Sequence, residues 1–194
     1  SYEVKTSANG LSTPTNQVWN ALFDSLTANS EQASIIKHAS ELLTNPAHKG
    51  ICVLTADRGR GKSHLLGLLH LANKAAIHDN LHSEIDNGIK YYITAPNKAA
   101  TQSTFKVLEA NPENHGLQFI APEDVLNRVT AKDILMVDEA ASLPIPLLIK
   151  WSLALNHIVF STTTHGYEGT GKGFQIRFLS HLKELQKSSE EQPV

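Results

Sequence analysis

The chain has 194 residues, 41% of them hydrophobic, enough for one well-filled core and too few for two comfortable ones. Its formal net charge of −2 comes without a polybasic tract, so composition gives no nucleic-acid footprint, although a local patch on a neutral protein is compatible with RNA. A single cysteine excludes an internal disulfide and implies a reducing, cytoplasmic compartment; with no signal peptide and no apolar run of about 18 residues, nothing is expected to span a membrane.

Residues 1–15 are rich in Ser, Thr, Asn and Gly without periodicity and read as a linker. After Pro14, Val18, Trp19, Leu22, Phe23 and Leu26 recur at helical spacing, so 1–28 is expected to hold a linker and one helix of a preceding region. The main domain is expected over 29–187, with a disordered tail at 188–194. Its first helix starts at Asn29 or Ser30, carries Ile35, Ile36, Ala39, Leu42 and Leu43 on one face, and closes near Asn45 and Pro46. Gln32 lies in its first turn; such an amide offers a nucleobase a paired donor and acceptor, or is simply solvated.

Ile51, Cys52, Val53 and Leu54 then form an apolar strand that runs through Thr55, Ala56 and Asp57 into Arg58-Gly59-Arg60-Gly61-Lys62-Ser63. A triphosphate is a dense anion, and a turn built on Gly59 and Gly61 lets several backbone N–H groups point at it. Lys62 would reach the outer phosphates, Ser63 would ligate Mg²⁺, and the helix expected over 64–77 would aim its positive N-terminal end at the same anion. The strict pattern has Gly where this chain has Ala56, which tolerates fewer backbone conformations.

A polar connection leads to a strand over 89–94 and an Ala95-Pro96-Asn97 turn. A helix over 98–110, a strand over 117–120 and a short helix over 122–129 follow. Ile134, Leu135, Met136 and Val137 run straight into Asp138 and Glu139. An apolar strand delivering two acids at its C-terminal end is the usual partner of a phosphate loop: Asp138 would hold the Mg²⁺ shell, and Glu139 would polarise the attacking water as general base. Without the upstream loop, the pair would read as a solvated acidic turn. Leu143-Pro144-Ile145-Pro146 is expected to be a rigid extended turn before a helix over 147–155.

The last strand, 157–164, opens into His165-Gly166-Tyr167-Glu168-Gly169-Thr170-Gly171-Lys172-Gly173. With Gly173 in place of a hydroxyl residue, this loop lacks a Mg²⁺ ligand, and no Arg or Gln stands where an acetyl-coenzyme A loop needs one. It reads as a loop that senses nucleotide or contacts a partner, with the hydroxyls of Thr162, Thr163 and Thr164 near the γ-phosphate. A final helix over 174–186 puts Ile176, Leu179, Leu182 and Leu185 on one face. Arg177 lies off that stripe, where it could neutralise charge on a transferring phosphoryl group or merely be solvated. The ten histidines show no metal-ligand spacing.

This alternation of strands and helices predicts an α/β fold with a mostly parallel central sheet. Residues 54–63, 138–146 and 161–174 together resemble the tRNA(Met) cytidine acetyltransferase family, in particular its helicase-like ATPase module. The resemblance covers roughly 32–182. It implies a three-layer P-loop NTPase of the RecA-like, helicase-like kind, within an enzyme that uses ATP and acetyl-CoA to acetylate N4 of the wobble cytidine of elongator tRNA(Met). By the family's pattern, Gln32, Leu54 through Ser63 and Arg177 match nucleotide-binding positions. Acetyl-CoA would bind an acetyltransferase domain of the same polypeptide, C-terminal to this chain. Lys98 and Lys172 are candidate RNA contacts by charge and loop position. The other readings are one RecA-like lobe of a nucleic-acid motor, or a nucleotide-gated RNA-binding module without turnover.

Overall fold

The computed structural model describes residues 3–6, 30–45, 49–57, 59, 61–80, 88–110, 116–163 and 177–184. The strands are β1 (Glu3–Thr6), β2 (Gly50–Ala56), β3 (Tyr91–Thr94), β4 (Leu117–Phe119), β5 (Ile134–Val137) and β6 (His157–Thr163). The helices are α1 (Ser30–Leu43), α2 (Lys62–Asn80), α3 (Gln102–Glu109), α4 (Val125–Arg128), α5 (Ile145–Ala154) and α6 (177–184). All six strands share one sheet in the order β1-β2-β6-β5-β3-β4, parallel throughout except for antiparallel β1.

A parallel sheet needs cover on both faces, because each crossover lays a helix on it. Period-two alternation along the strands then sorts the core into two halves. Cys52, Leu54, Ile93, Met136 and Val159 face α1, α2 and α3. Ile51, Val53, Leu135, Val137, Ile158 and Phe160 face α5 and α6, where Trp151 and Phe178 are fully buried. The result is the expected three-layer α/β architecture, with β2 buried along its whole length. Burial pushes the Cys52 thiol up to about 12, so this cysteine is a core residue without thiolate chemistry.

Buried Asp133 fixes where two parallel strands begin. Its Oδ1 accepts from Lys90 N at 2.9 Å, ahead of β3, and its Oδ2 accepts from Thr130 N at 2.8 Å and Thr130 Oγ1 at 2.7 Å, ahead of β5. The C-terminal ends of both strands are set by the same register.

Two expectations are corrected. Residues 3–6, read as linker, form an edge strand on β2, pairing Val4 with Leu54 and Thr6 with Cys52; the backbone edge of β2 needs hydrogen-bond partners that composition alone does not reveal. The expected extended turn over 143–146 is shorter, since α5 already begins at Ile145. Pro146 sits in its first turn, where a missing N–H costs nothing. On α6, Leu179 and Leu182 of the expected stripe pack against the core, joined by Phe178, whose ring meets Phe160 edge-on at 4.8 Å and 80°. The amphipathic helix read after Pro14, the loop at 164–176 with Lys172, and the tail lie outside the described residues.

Candidate functional site

The phosphate-loop candidate leaves the C-terminal end of β2 and enters α2 at Lys62. Gly59 and Gly61 adopt φ of 79° and 77°, the left-handed region that a side chain resists. Ala56 needs no such freedom: it is the last residue of β2, fully buried and paired with Thr163. The departure from the strict glycine pattern therefore falls where backbone conformation is ordinary. The helical ladder of α2 opens with Leu65 N donating to Gly61 O at 2.8 Å, which leaves the N–H groups of Lys62, Ser63 and His64 outside it and aimed at the loop.

The sheet delivers Asp138 to the same place. Its amide donates to Thr94 O at 2.9 Å, continuing the β5–β3 ladder one residue past the strand. The carboxyl group is fully buried, and burial raises its pKa above the ordinary aspartate value. The hydroxyl of Ser63, the amide of Glu139, the hydroxyl of Ser161 and the charge of Lys62 pull in the other direction. Only the Glu139 amide closes a full bond, at 2.9 Å to Oδ1. Asp138 Oδ2 and Ser161 Oγ stay buried without a hydrogen bond of good geometry.

Lys62, Ser63 and Asp138, distant in sequence, thus meet at the C-terminal edge of the parallel sheet, where α/β folds collect ligands. Glu139 follows in a left-handed conformation, φ 50° and ψ 42°, and its side chain is exposed. A strained non-glycine residue directly after a buried acid is a common mark of a working site.

Ser161 was not singled out in the sequence. Thr162, Thr163 and Thr164 were expected near the γ-phosphate, yet parallel register sets Val137 beside Phe160, and so Asp138 level with Ser161. Alternation turns Thr162 to the opposite face, beside Thr55. Thr163 shares the Ser161 face, and Thr164 lies outside the described residues. The missing signal was the strand order, which a residue pattern does not contain.

Among the remaining nucleotide-site residues, Leu54 and Ala56 have buried side chains and can offer a ligand only backbone; Thr55 is buried on the far face, and Asp57 is half-buried. Arg58 and Arg60 lie outside the described residues. Gln32 is half-buried in the first turn of α1, whose C-terminal end packs on Gly50 at the start of β2. Arg177 is exposed at the start of described α6, on the face opposite to α2. The structure brings Lys62, Ser63 and Asp138 together and leaves Arg177 outside that cluster.

Residues 53–193 match the family described as RNA cytidine acetyltransferase NAT10/TcmA, helicase domain. The chain belongs to this family. The helicase domain is also similar to several proteins named tRNA(Met) cytidine acetyltransferase TmcA. Identity is 42% over 138 residues with that of Haemophilus influenzae, covering 68% of this chain and 18% of the relative. With that of Vibrio cholerae it is 36% over 160 residues, covering 73% and 21%. With that of Pyrococcus abyssi it is 33% over 178 residues, covering 82% and 20%. The helicase domain therefore spans about a fifth of the length of these relatives. No helix among the described residues is long and apolar enough to cross a membrane.

Proposed function

We propose that this domain binds and hydrolyses ATP for an enzyme that acetylates N4 of the wobble cytidine of elongator tRNA(Met). Acetyl-CoA would be used by an acetyltransferase domain of the same polypeptide, in the cytoplasm. The observation that carries the ATP reading is the meeting of Lys62, Ser63 and Asp138 at the N-terminus of α2. The RNA reading rests on the family and on the names of the relatives.

The residues present suit Mg²⁺. Ser63 Oγ and the Asp138 carboxylate are hard oxygen donors facing each other, and buried Oδ2 of Asp138 lacks a full hydrogen bond. Bound there, Mg²⁺ would neutralise charge on the β- and γ-phosphates. Lys62 and the N-terminal N–H groups of α2 would bind the phosphates and hold them in line. Glu139, outside the buried pocket of Asp138, would accept a proton from the attacking water. Hydrolysis would serve to position RNA and would not take part in the acyl chemistry itself.

Two variants of the full-length protein test this reading. Lys62→Ala should weaken ATP affinity roughly 10- to 100-fold in titration calorimetry, as expected for losing a charge-assisted contact. Glu139→Gln should keep ATP affinity and lower RNA-stimulated hydrolysis about 100-fold or more. Unchanged affinity in the first would sink the nucleotide site. Unchanged turnover in the second would leave a nucleotide-gated module, without Glu139 as base.

A further inference from the structure

Beside the nucleotide edge, α3 and the outermost strand β4 enclose a groove of about 830 Å³, lined among others by Lys98, Gln102, Phe105, Glu109, Gln118 and Phe119. This volume lies in the range of roughly 300–1,000 Å³ typical of ligand sites. Gln102, Phe105 and Glu109 are spaced three and four apart, so one face of α3 forms a wall. The rings of Phe105 and Phe119 are half-buried and packed against the core, which holds them rigid. Lys98, Gln102 and Gln118 are exposed around them.

The lining has the chemistry of unpaired nucleotides. Fixed aromatic rings offer stacking surfaces to bases of any sequence, and side-chain amides offer donor and acceptor to a base edge. Lys98 supplies a cation for a phosphate at one end of the groove. Glu109 would repel a phosphate, but it can accept from an exocyclic amine, so the carboxylate belongs on the base side of a strand.

Position gives this groove a physical link to the nucleotide site. Its helix is anchored by Thr104 Oγ1 donating to Ser63 O at 2.7 Å, and Ser63 is the hydroxyl residue that faces Asp138. Lys98 opens a short 3₁₀ turn capped by Asn97, whose Oδ1 accepts from Ala100 N at 3.0 Å. That turn follows Thr94, the residue whose carbonyl holds the Asp138 amide.

We propose that this groove binds a short unpaired stretch of RNA, with bases on Phe105 and Phe119 and backbone at Lys98, in register with the nucleotide site through Thr104 and Ser63. The inference deepens the RNA-enzyme reading above and rests on it.

The test is fluorescence anisotropy of the full-length protein with a labelled single-stranded oligoribonucleotide over a range of salt. The double variant Gln102→Ala/Gln118→Ala changes only exposed positions and should melt as the wild type does while binding about tenfold more weakly. Lys98→Ala should lower the slope of log affinity against log salt by about 0.7, one phosphate contact on a single strand. If the wild type binds RNA and these variants bind equally well with the same slope, the groove is not the site and the functional reading survives. A photo-crosslinker at Gln118 that captures a segment of the protein in place of the oligonucleotide also overturns the proposal, making the groove an internal docking surface. A wild type that binds no RNA removes both this inference and the RNA part of the proposed function.

Discussion

Glu139 is the only non-glycine residue with positive φ among those described, and its conformation is held from both sides. Its amide donates to Asp138 Oδ1, and its carbonyl accepts from Ser142 N at 2.9 Å. A left-handed conformation costs an L-residue about 1–2 kcal/mol. The cost swings the chain out of the sheet immediately after the buried acid, so two adjacent carboxylates occupy two environments, one buried and one exposed. Glycine would relieve it. Glu139→Gly is expected to raise stability by about 1 kcal/mol in urea denaturation while hydrolysis is lost, whereas Glu139→Gln should lose hydrolysis without that gain. Equal stability of the two variants would mean that the strained backbone is not intrinsic to the site. The sequence displayed both acids and their roles as candidates, because an apolar strand ending in carboxylates is a local pattern. It could not display the strain, which arises from bonds to residues on either side of the turn.

At the scale of elements, α2 and α3 form the unit that fixes the phosphate-loop end. Gly67 lies one turn beyond Ser63, and a Cβ there would meet Val107 Cβ at 2.8 Å and Thr104 O at 3.0 Å, closer than packed atoms tolerate. The two helices therefore touch backbone to side chain just where Thr104 reaches Ser63. In an exposed helix, Gly→Ala would add about 1 kcal/mol of stability. Here overpacking should win, with Gly67→Ala destabilising the fold by roughly 1–2 kcal/mol. Adding Val107→Gly removes the Cβ that the new methyl group meets, so the double variant should be more stable than the sum of the single changes predicts. A stabilising Gly67→Ala would show that α3 is not seated on α2 in this way. Helices and strands themselves were legible where periodicity was strong, as in α1, β2 and β5. The close approach at Gly67 was not, since a glycine in a helical pattern reads as a weak point until its neighbour is known. The start of α5 was misjudged because two prolines suggest a turn, although the first turn of a helix accepts Pro146.

For the whole molecule, the strand order decides what meets what. β6 lies between β2 and β5, so the phosphate-loop strand and the Asp138 strand are separated by one strand that contributes Ser161 to their shared edge. The loop and the acids were legible because their chemistry is written in short segments; Ser161 depends on which strands are neighbours. The opposite end of β6 carries a different consequence of the same burial. His157 stands level with Gly50 and Ile134, is nearly fully buried, and its Nδ1 has no hydrogen-bond partner. Burial lowers its pKa below the ordinary histidine value of 6.5. The folded protein thus favours neutral imidazole, while the unfolded chain takes up a proton as pH falls through the ordinary value. Stability tied to His157 is fully present above that value and is lost progressively as pH drops toward the lower, folded pKa. His157→Leu removes the titrating group, and the other nine histidines cancel in the comparison with wild type. Measured by urea denaturation at about pH 7.5 and about pH 5.5, the stability of His157→Leu relative to wild type should rise on acidification, whatever its offset at neutral pH. A difference that stays constant between the two pH values would show that His157 binds its proton equally well in the folded and unfolded chains.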